Sequence, residues 1–147
     1  MTEFCHHSRM LRYRRPFGAA TCGARVRIAA DCAMPEGTRV WLRLWQEGRC
    51  ETLVPMARAG DTVSVEVAMP DEPCLVWYFF VLHTREGQTL YYGGASGEGS
   101  FFKHEPPAFQ ITVYKTSFAT PESWRRGVCY QIFPDRFKRS SWEDFRR

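Results

Sequence analysis

Four aromatic side chains carry the chemistry this sequence offers most openly. Trp41 and Trp45 stand four residues apart, and Tyr91 and Tyr92 are adjacent. An exposed indole or phenol ring stacks on the flat C–H face of a pyranose while nearby polar groups take its hydroxyls. Aromatic residues make up 15% of the chain, more than a core obviously requires. Trp41, Arg43 and Trp45 alternate with Val40, Leu42 and Leu44, so the two indoles point away from the inferred core. These four rings are the candidate substrate-binding residues. The competing use is protein contact, because exposed tryptophan pairs mark interfaces, and packing against a neighbouring domain is the favoured of the two readings for Trp41 and Trp45.

Other reactive groups offer less. The glycine-rich run of residues 93–99 superficially resembles a phosphate-cradling loop but lacks the Lys-Ser/Thr that would follow, so it reads as a flexible loop whose position after Tyr91 and Tyr92 could shape a sugar-contacting edge. Cys5-His6-His7 has metal-binding residue types, yet a frayed, exposed terminus is the expected state there. The six cysteines are widely spaced, with no C-x-x-C pair, and no secretory leader is evident in residues 1–9. Free thiols, no zinc site, no other metal, no cofactor and a cytoplasmic location are therefore expected. Asp135 follows an apolar run broken by Pro134, which would deliver its carboxylate to the carboxyl end of a short strand.

The elements that must position these groups are strands. Ala24, Val26 and Ile28 share one face against Arg25 and Arg27, and Val63, Val65 and Val67 share one against Ser64 and Glu66. Turn residues separate such runs at Pro35-Glu36-Gly37, Glu47-Gly48, Ala59-Gly60-Asp61, residues 70–73 and Arg85-Glu86-Gly87. Short strands at this spacing predict an all-β, immunoglobulin-like sandwich. The stretch 75–82 is apolar on both faces, so it must be central, with one face in the core and the other covered by a neighbouring domain, a partner subunit or the segment around Phe17. Left uncovered, that face would drive self-association. Arg12, Arg14 and Arg15 read as a solvated strand face.

Composition excludes several classes. Twenty basic and sixteen acidic residues, net +4, are spread along 147 residues without a stripe able to track a phosphate backbone, which argues against nucleic acid. The longest apolar run is far shorter than the roughly 20 residues needed to span lipid, which argues against a membrane helix. Apolar residues at 44% suffice for one core.

One segment carries a family resemblance. Tyr130-Gln131-Ile132-Phe133-Pro134-Asp135-Arg136-Phe137, with residues 120–127 before it, resembles the entry to the catalytic barrel in the α-amylase family of glycoside hydrolases, in particular the neopullulanase, cyclomaltodextrinase and α-glycosidase group. Residues 13–19, Trp77-Tyr78-Phe79-Phe80, Tyr91-Tyr92-Gly93 and residues 110–114 add collinear matches upstream. The resemblance implies a β-sandwich domain at residues 1–116, a linker at 117–127, and at 128–147 the first strand of a truncated (β/α)8 barrel. Such a barrel takes roughly 250 residues, so the family's nucleophile and general acid have no counterpart here. A retaining glycosidase needs two carboxyl groups about 5 Å apart, and Asp135, Glu143 and Asp144 are too local to supply them. No catalytic residue is assigned. Relatives that bind calcium near this point place Asn, Gly and Asp where this chain has Arg139, Ser140 and Ser141, so Asp135 reads as a capping or salt-bridging residue. Residues 142–147 are expected to be disordered. The implied function is that of an inactive, amino-terminal accessory domain of an α-glucan hydrolase, with an α-glucan or maltooligosaccharide as partner through the parent enzyme and a homodimer contact as in relatives. A free-standing carbohydrate-binding module and a non-binding spacer are the alternatives.

Overall fold

Two sheets account for the strands among the described residues. The computed structural model describes residues 3–46, 49 and 51–133. The first sheet contains β1 (Glu3–Cys5), β2 (Arg14–Arg15), β4 (Arg25–Ala33), β7 (Ala57–Ala59) and β8 (Thr62–Ala68), with β4 at its centre. The second contains β3 (Ala20–Thr21), β5 (Arg39–Gln46), β6 (Thr52–Pro55), β9 (Cys74–His83), β10 (Thr89–Gly93), β11 (Ser100–Phe102) and β12 (Phe109–Tyr114). Pairing is antiparallel except between β3 and β12. The architecture is the all-β sandwich the alternation predicts, and Gly37, Gly60 and Gly87 occupy the expected turns with positive φ.

Strand β9 is central, as its two apolar faces require. Along one side it pairs with β5 from Arg39↔His83 to Gln46↔Val76. Along the other it is shared: β12 takes residues 74–78 and β10 takes residues 80–83. Even-numbered Val76, Tyr78, Phe80 and Leu82 enter the core with Val40, Leu42 and Leu44 of β5 and Phe109, Ile111 and Val113 of β12. Val26, Ile28, Ala30, Cys32, Val63 and Val67 come from the opposite sheet. Each such fully buried large apolar side chain contributes about 1.5–3 kcal/mol relative to exposure. The odd residues of β9 face outward, where Phe79 and Val81 are nevertheless buried. The segment around Phe17 does not cover them, since Phe17 is 53% exposed. Their neighbours on the same sheet do.

The amino terminus departs from expectation. Glu3–Cys5 is not frayed: it forms β1 on the edge of β4, and Phe4 and His6 enter the core while Cys5 and His7 stay at its margin. Phe4 packs edge-on against Phe80 and Tyr92, with ring centroids 5.2 and 4.9 Å away. Burial of these rings outweighs the entropy of ordering the terminus, and the period of two through Phe4, His6 and Ser8 encodes it. Arg14 likewise is not on a solvated face. It is buried, and its guanidinium donates to the carbonyls of Gln110 (2.9 Å) and Gly18 (3.1 Å), tying β2 to the second sheet. A buried cation persists only where fixed acceptors surround it.

Residues 93–99 form a clamped loop instead of a flexible one. Ser8 N–H donates to Gly97 O at 2.8 Å, and Gly99 N–H donates to His6 O at 3.2 Å. Glycine is required at 99, where a Cβ would lie 2.4 Å from Tyr92 Cε1 and 2.9 Å from both Gly93 O and Phe109 Cζ.

The chain divides into two units, Met1–Ser117 and Phe118–Arg147. The second contains the short helix α1 (Glu122–Arg126), with Glu122 in its first turn paired to Arg125 and Arg126 in its last. Residues 128–133 have no regular secondary structure, and Val128, Tyr130, Ile132 and Phe133 are exposed. The expected strand at 128–137, Asp135, Glu143, Asp144 and the expected disorder of 142–147 fall partly or wholly outside the described residues. Among the described residues no helix is long and apolar enough to cross a membrane.

Gly99→Ala is expected to destabilise the sandwich by about 1–3 kcal/mol through overpacking against two rings and a carbonyl, read as a lower urea midpoint at unchanged slope.

Candidate functional site

The outward face of the second sheet gathers the aromatic residues in rows set by strand register. Trp45 lies opposite Trp77, Arg43 opposite Phe79, and Trp41 opposite Val81, which in turn faces Tyr91 of β10. Trp45 and Trp77 stack with centroids 6.3 Å apart and planes at 23°. Phe79 meets Trp45 edge-on at 5.6 Å and Tyr91 at 6.1 Å, while Trp41 stands edge-on to His83 at 4.8 Å.

Arg43 lies at the centre of this face. Its guanidinium carbon sits 5.0 Å from the Trp45 ring and 4.9 Å from the Phe79 ring, a double cation–π contact. Its Nε donates to Glu51 at 2.9 Å, and it also pairs with Glu105. Burial works against the Arg43 charge, but the hydrogen bonds and charges of Glu105 and Glu51 outweigh it and raise its pKa further. The cation therefore seals Phe79 from water and keeps the apolar face compatible with solvent.

Beside it opens a groove of about 400 Å³ bounded by Arg43, Phe79, His83, Thr89, Tyr91 and Glu105. Leu53, Phe79, Val81 and Tyr91 line it with apolar surface, Arg43, His83, Thr89 and Glu105 with polar groups, and Thr89 Oγ1 lies 3.1 Å from His83 Nδ1. A flat ring with hydroxyls around its edge matches that distribution: rings for its face, and guanidinium, carboxylate, hydroxyl and imidazole for its edge. A second opening of about 350 Å³ lies between the sheets near β6 and β8, walled mainly by core side chains such as Leu44, Val54, Val67 and Met69.

Of the four rings singled out in the sequence, the structure brings Trp41, Trp45 and Tyr91 onto this one face, each half-buried. Tyr92 is not there. It points into the core at 2% exposure, packed on Phe4 and Phe80, with its hydroxyl at the backbone of His6. Adjacent residues of a strand face opposite sides, so Tyr91 and Tyr92 cannot share a ligand. Trp77, Phe79, His83 and Thr89 were missed, although the odd positions of a strand apolar on both faces signal the first two. Glu105 reaches Arg43 from a loop 62 residues away, with no local signal. Cys5, Cys22, Cys32, Cys74 and Cys129 are free thiols. Among the described residues no group of three or more His, Cys, Asp or Glu side chains is placed to hold a metal ion.

No protein-family model matches the chain. The amylopullulanase of Thermoanaerobacter thermohydrosulfuricus is 32% identical over 137 residues, which cover 85% of this chain and 9% of that protein. This chain is similar to a small part of amylopullulanases. The amylopullulanase of Thermoanaerobacterium saccharolyticum is 31% identical over 137 residues, 85% of this chain and 11% of its own, and that of Thermoanaerobacterium thermosulfurigenes is 30% identical over 137 residues, 85% and 7%. The chain thus spans about a tenth of the length of the curated amylopullulanases it matches. Their similarity agrees with the sequence resemblance at the level of α-amylase-family glycoside hydrolases.

Replacing Arg43 by Lys keeps the charge for Glu51 and Glu105 but removes the planar group stacked on two rings. A loss of about 0.5–1 kcal/mol in urea unfolding is expected, with increased quenching of tryptophan fluorescence by acrylamide as Trp45 opens.

Proposed function

We propose that this chain is an accessory β-sandwich module of an α-glucan-acting glycoside hydrolase, performing no hydrolysis itself and holding an α-glucan chain on the aromatic face of its second sheet. The observation that carries the reading is the coincidence of two properties in one segment. The amylopullulanase similarity extends over 85% of this chain, and the sheet face within it joins three outward rings, Trp41, Trp45 and Tyr91, to the polar-rimmed groove at Arg43 and Glu105. The charged centre of that face favours a reversible ligand over permanent domain packing, because charges are depleted from the cores of permanent interfaces. The neopullulanase-type subgroup, the boundaries at residues 116 and 127, and a homodimer contact through this domain belong to the same proposal and rest on the sequence resemblance alone.

Titration calorimetry with maltoheptaose tests it. Binding is expected in the millimolar range or tighter, and Trp45→Ala and Tyr91→Ala should each weaken it about three- to tenfold, the equivalent of one aromatic stacking contact. No heat at millimolar ligand would remove glucan binding and leave the spacer reading, in which the same face packs on the remainder of the enzyme. Release of reducing sugar from pullulan, cyclodextrin or starch by this chain alone would overturn its non-catalytic assignment.

A further inference from the structure

His6 is the one imidazole enclosed by the fold, at 0% exposure, and the proposed function makes no use of it. Its Nδ1 lies 2.7 Å from Ala29 O, and a carbonyl only accepts, so Nδ1 carries the proton. Nε2 is then the acceptor for the Tyr78 hydroxyl at 3.0 Å. The ring sits among Tyr13, Tyr78, Phe80 and Phe109. Its backbone is held as well: Tyr92 Oη accepts from His6 N–H at 3.3 Å, and His6 O accepts from Gly99 N–H at 3.2 Å. Two residues on, Gly97 N–H donates to Ser8 Oγ at 3.1 Å. The neutral ring thus joins β4 to β9, and the backbone of the same residue holds the glycine loop.

We propose that His6 is the pin of an acid-sensitive latch that holds the amino-terminal strand and the glycine loop against the sandwich. A second proton on the ring has nowhere favourable to go. The charged group facing it is Arg14 from β2, which opposes added positive charge, and His7 beside it works in the same direction. Tyr78 from β9 and Tyr92 from β10 are phenols held neutral by burial, which pushes Tyr78 up to about 12. Tyr13 is likewise raised, first by burial and then by its hydrogen bond to Asp31, whose carboxylate is already taken by that phenol and by Arg12. Glu98, on the loop, reaches the thiol of Cys5, not the ring. Burial is the largest influence on His6 itself and lowers it from 6.5 to about 4.

Besides His6, the closed form is anchored by Phe4, buried against Phe80 and Tyr92, and by a short strand pairing. Strand β1 is a three-residue sheet edge, whereas β4 with β8 and β5 with β9 are paired over seven and eight positions. With the latch open, His6 regains its ordinary affinity for a proton, so acid favours the open form. The closed-to-open ratio is constant above about pH 6.5, falls about tenfold per pH unit below it, and levels off near pH 4.

Hydrogen exchange on the full chain, corrected for intrinsic rates, tests this between pH 7 and pH 4. Protection of the Ser8, Gly97 and Gly99 amides is expected to hold down to about pH 6.5 and then fall about tenfold per pH unit, while that of β9 amides stays level. In His6→Gln, whose amide can replace both ring hydrogen bonds but cannot take up a proton, the fall should vanish. The carbon shift of the His6 ring, followed by NMR in the unmodified chain, should titrate near pH 4 and covers the case in which the variant does not fold. A His6 ring that titrates near 6.5, an unchanged slope in a folded His6→Gln, or β9 amides losing protection in parallel would each overturn the latch.

Discussion

The whole arrangement depends on β9 having to be covered on both faces. A strand reading Cys-Leu-Val-Trp-Tyr-Phe-Phe-Val-Leu-His buries its even side chains only by facing a second sheet, and that requirement calls β4 and β8 into position opposite it. Its odd side chains are equally apolar. They are covered instead by residues of their own sheet: Arg43, Trp45 and Tyr91 reach across from β5 and β10 and close over Phe79. Each cover is amphipathic, with an apolar body on the ring beneath and a polar edge toward water.

The interior shows the opposite solution. His6, Arg14, Tyr78 and Tyr92 are polar groups close-packed with Phe4, Phe80 and Phe109. They persist there because carbonyls and hydroxyls meet them at hydrogen-bond distance, and together they stitch the amino-terminal segment across both sheets. The outer face and the inner network share β10, whose Tyr91 belongs to the groove and whose Tyr92 belongs to the core.

Much of this was legible from residue order. The strands at 25–33, 39–46 and 62–68 follow from alternating runs within them, the one at 74–83 from an apolar run on both faces, and the turns from glycines at 37, 60 and 87. The platform of Trp41 and Trp45, with Arg43 between them, follows from the same period. The failures have a common origin in judging residues by type. Tyr92 was grouped with Tyr91 because both are tyrosines, against the alternation that separates them. The charge of Arg14 points to water and the terminal position of Cys5-His6-His7 to fraying, whereas the alternation of Phe4, His6 and Ser8 points inward.

Local patterning by itself determined that the chain is all-β, which strand is central and which side of β5 carries the indoles, because a period of two is set by backbone geometry before any contact forms. Only the tertiary structure decided which rings meet, that Glu51 and Glu105 converge on Arg43, and that a histidine six residues from the start sits against Tyr78. Those pairings depend on strand order and register, and they join residues 62 and 72 positions apart. Over such separations one residue's type places no constraint on its partner until both sheets are assembled.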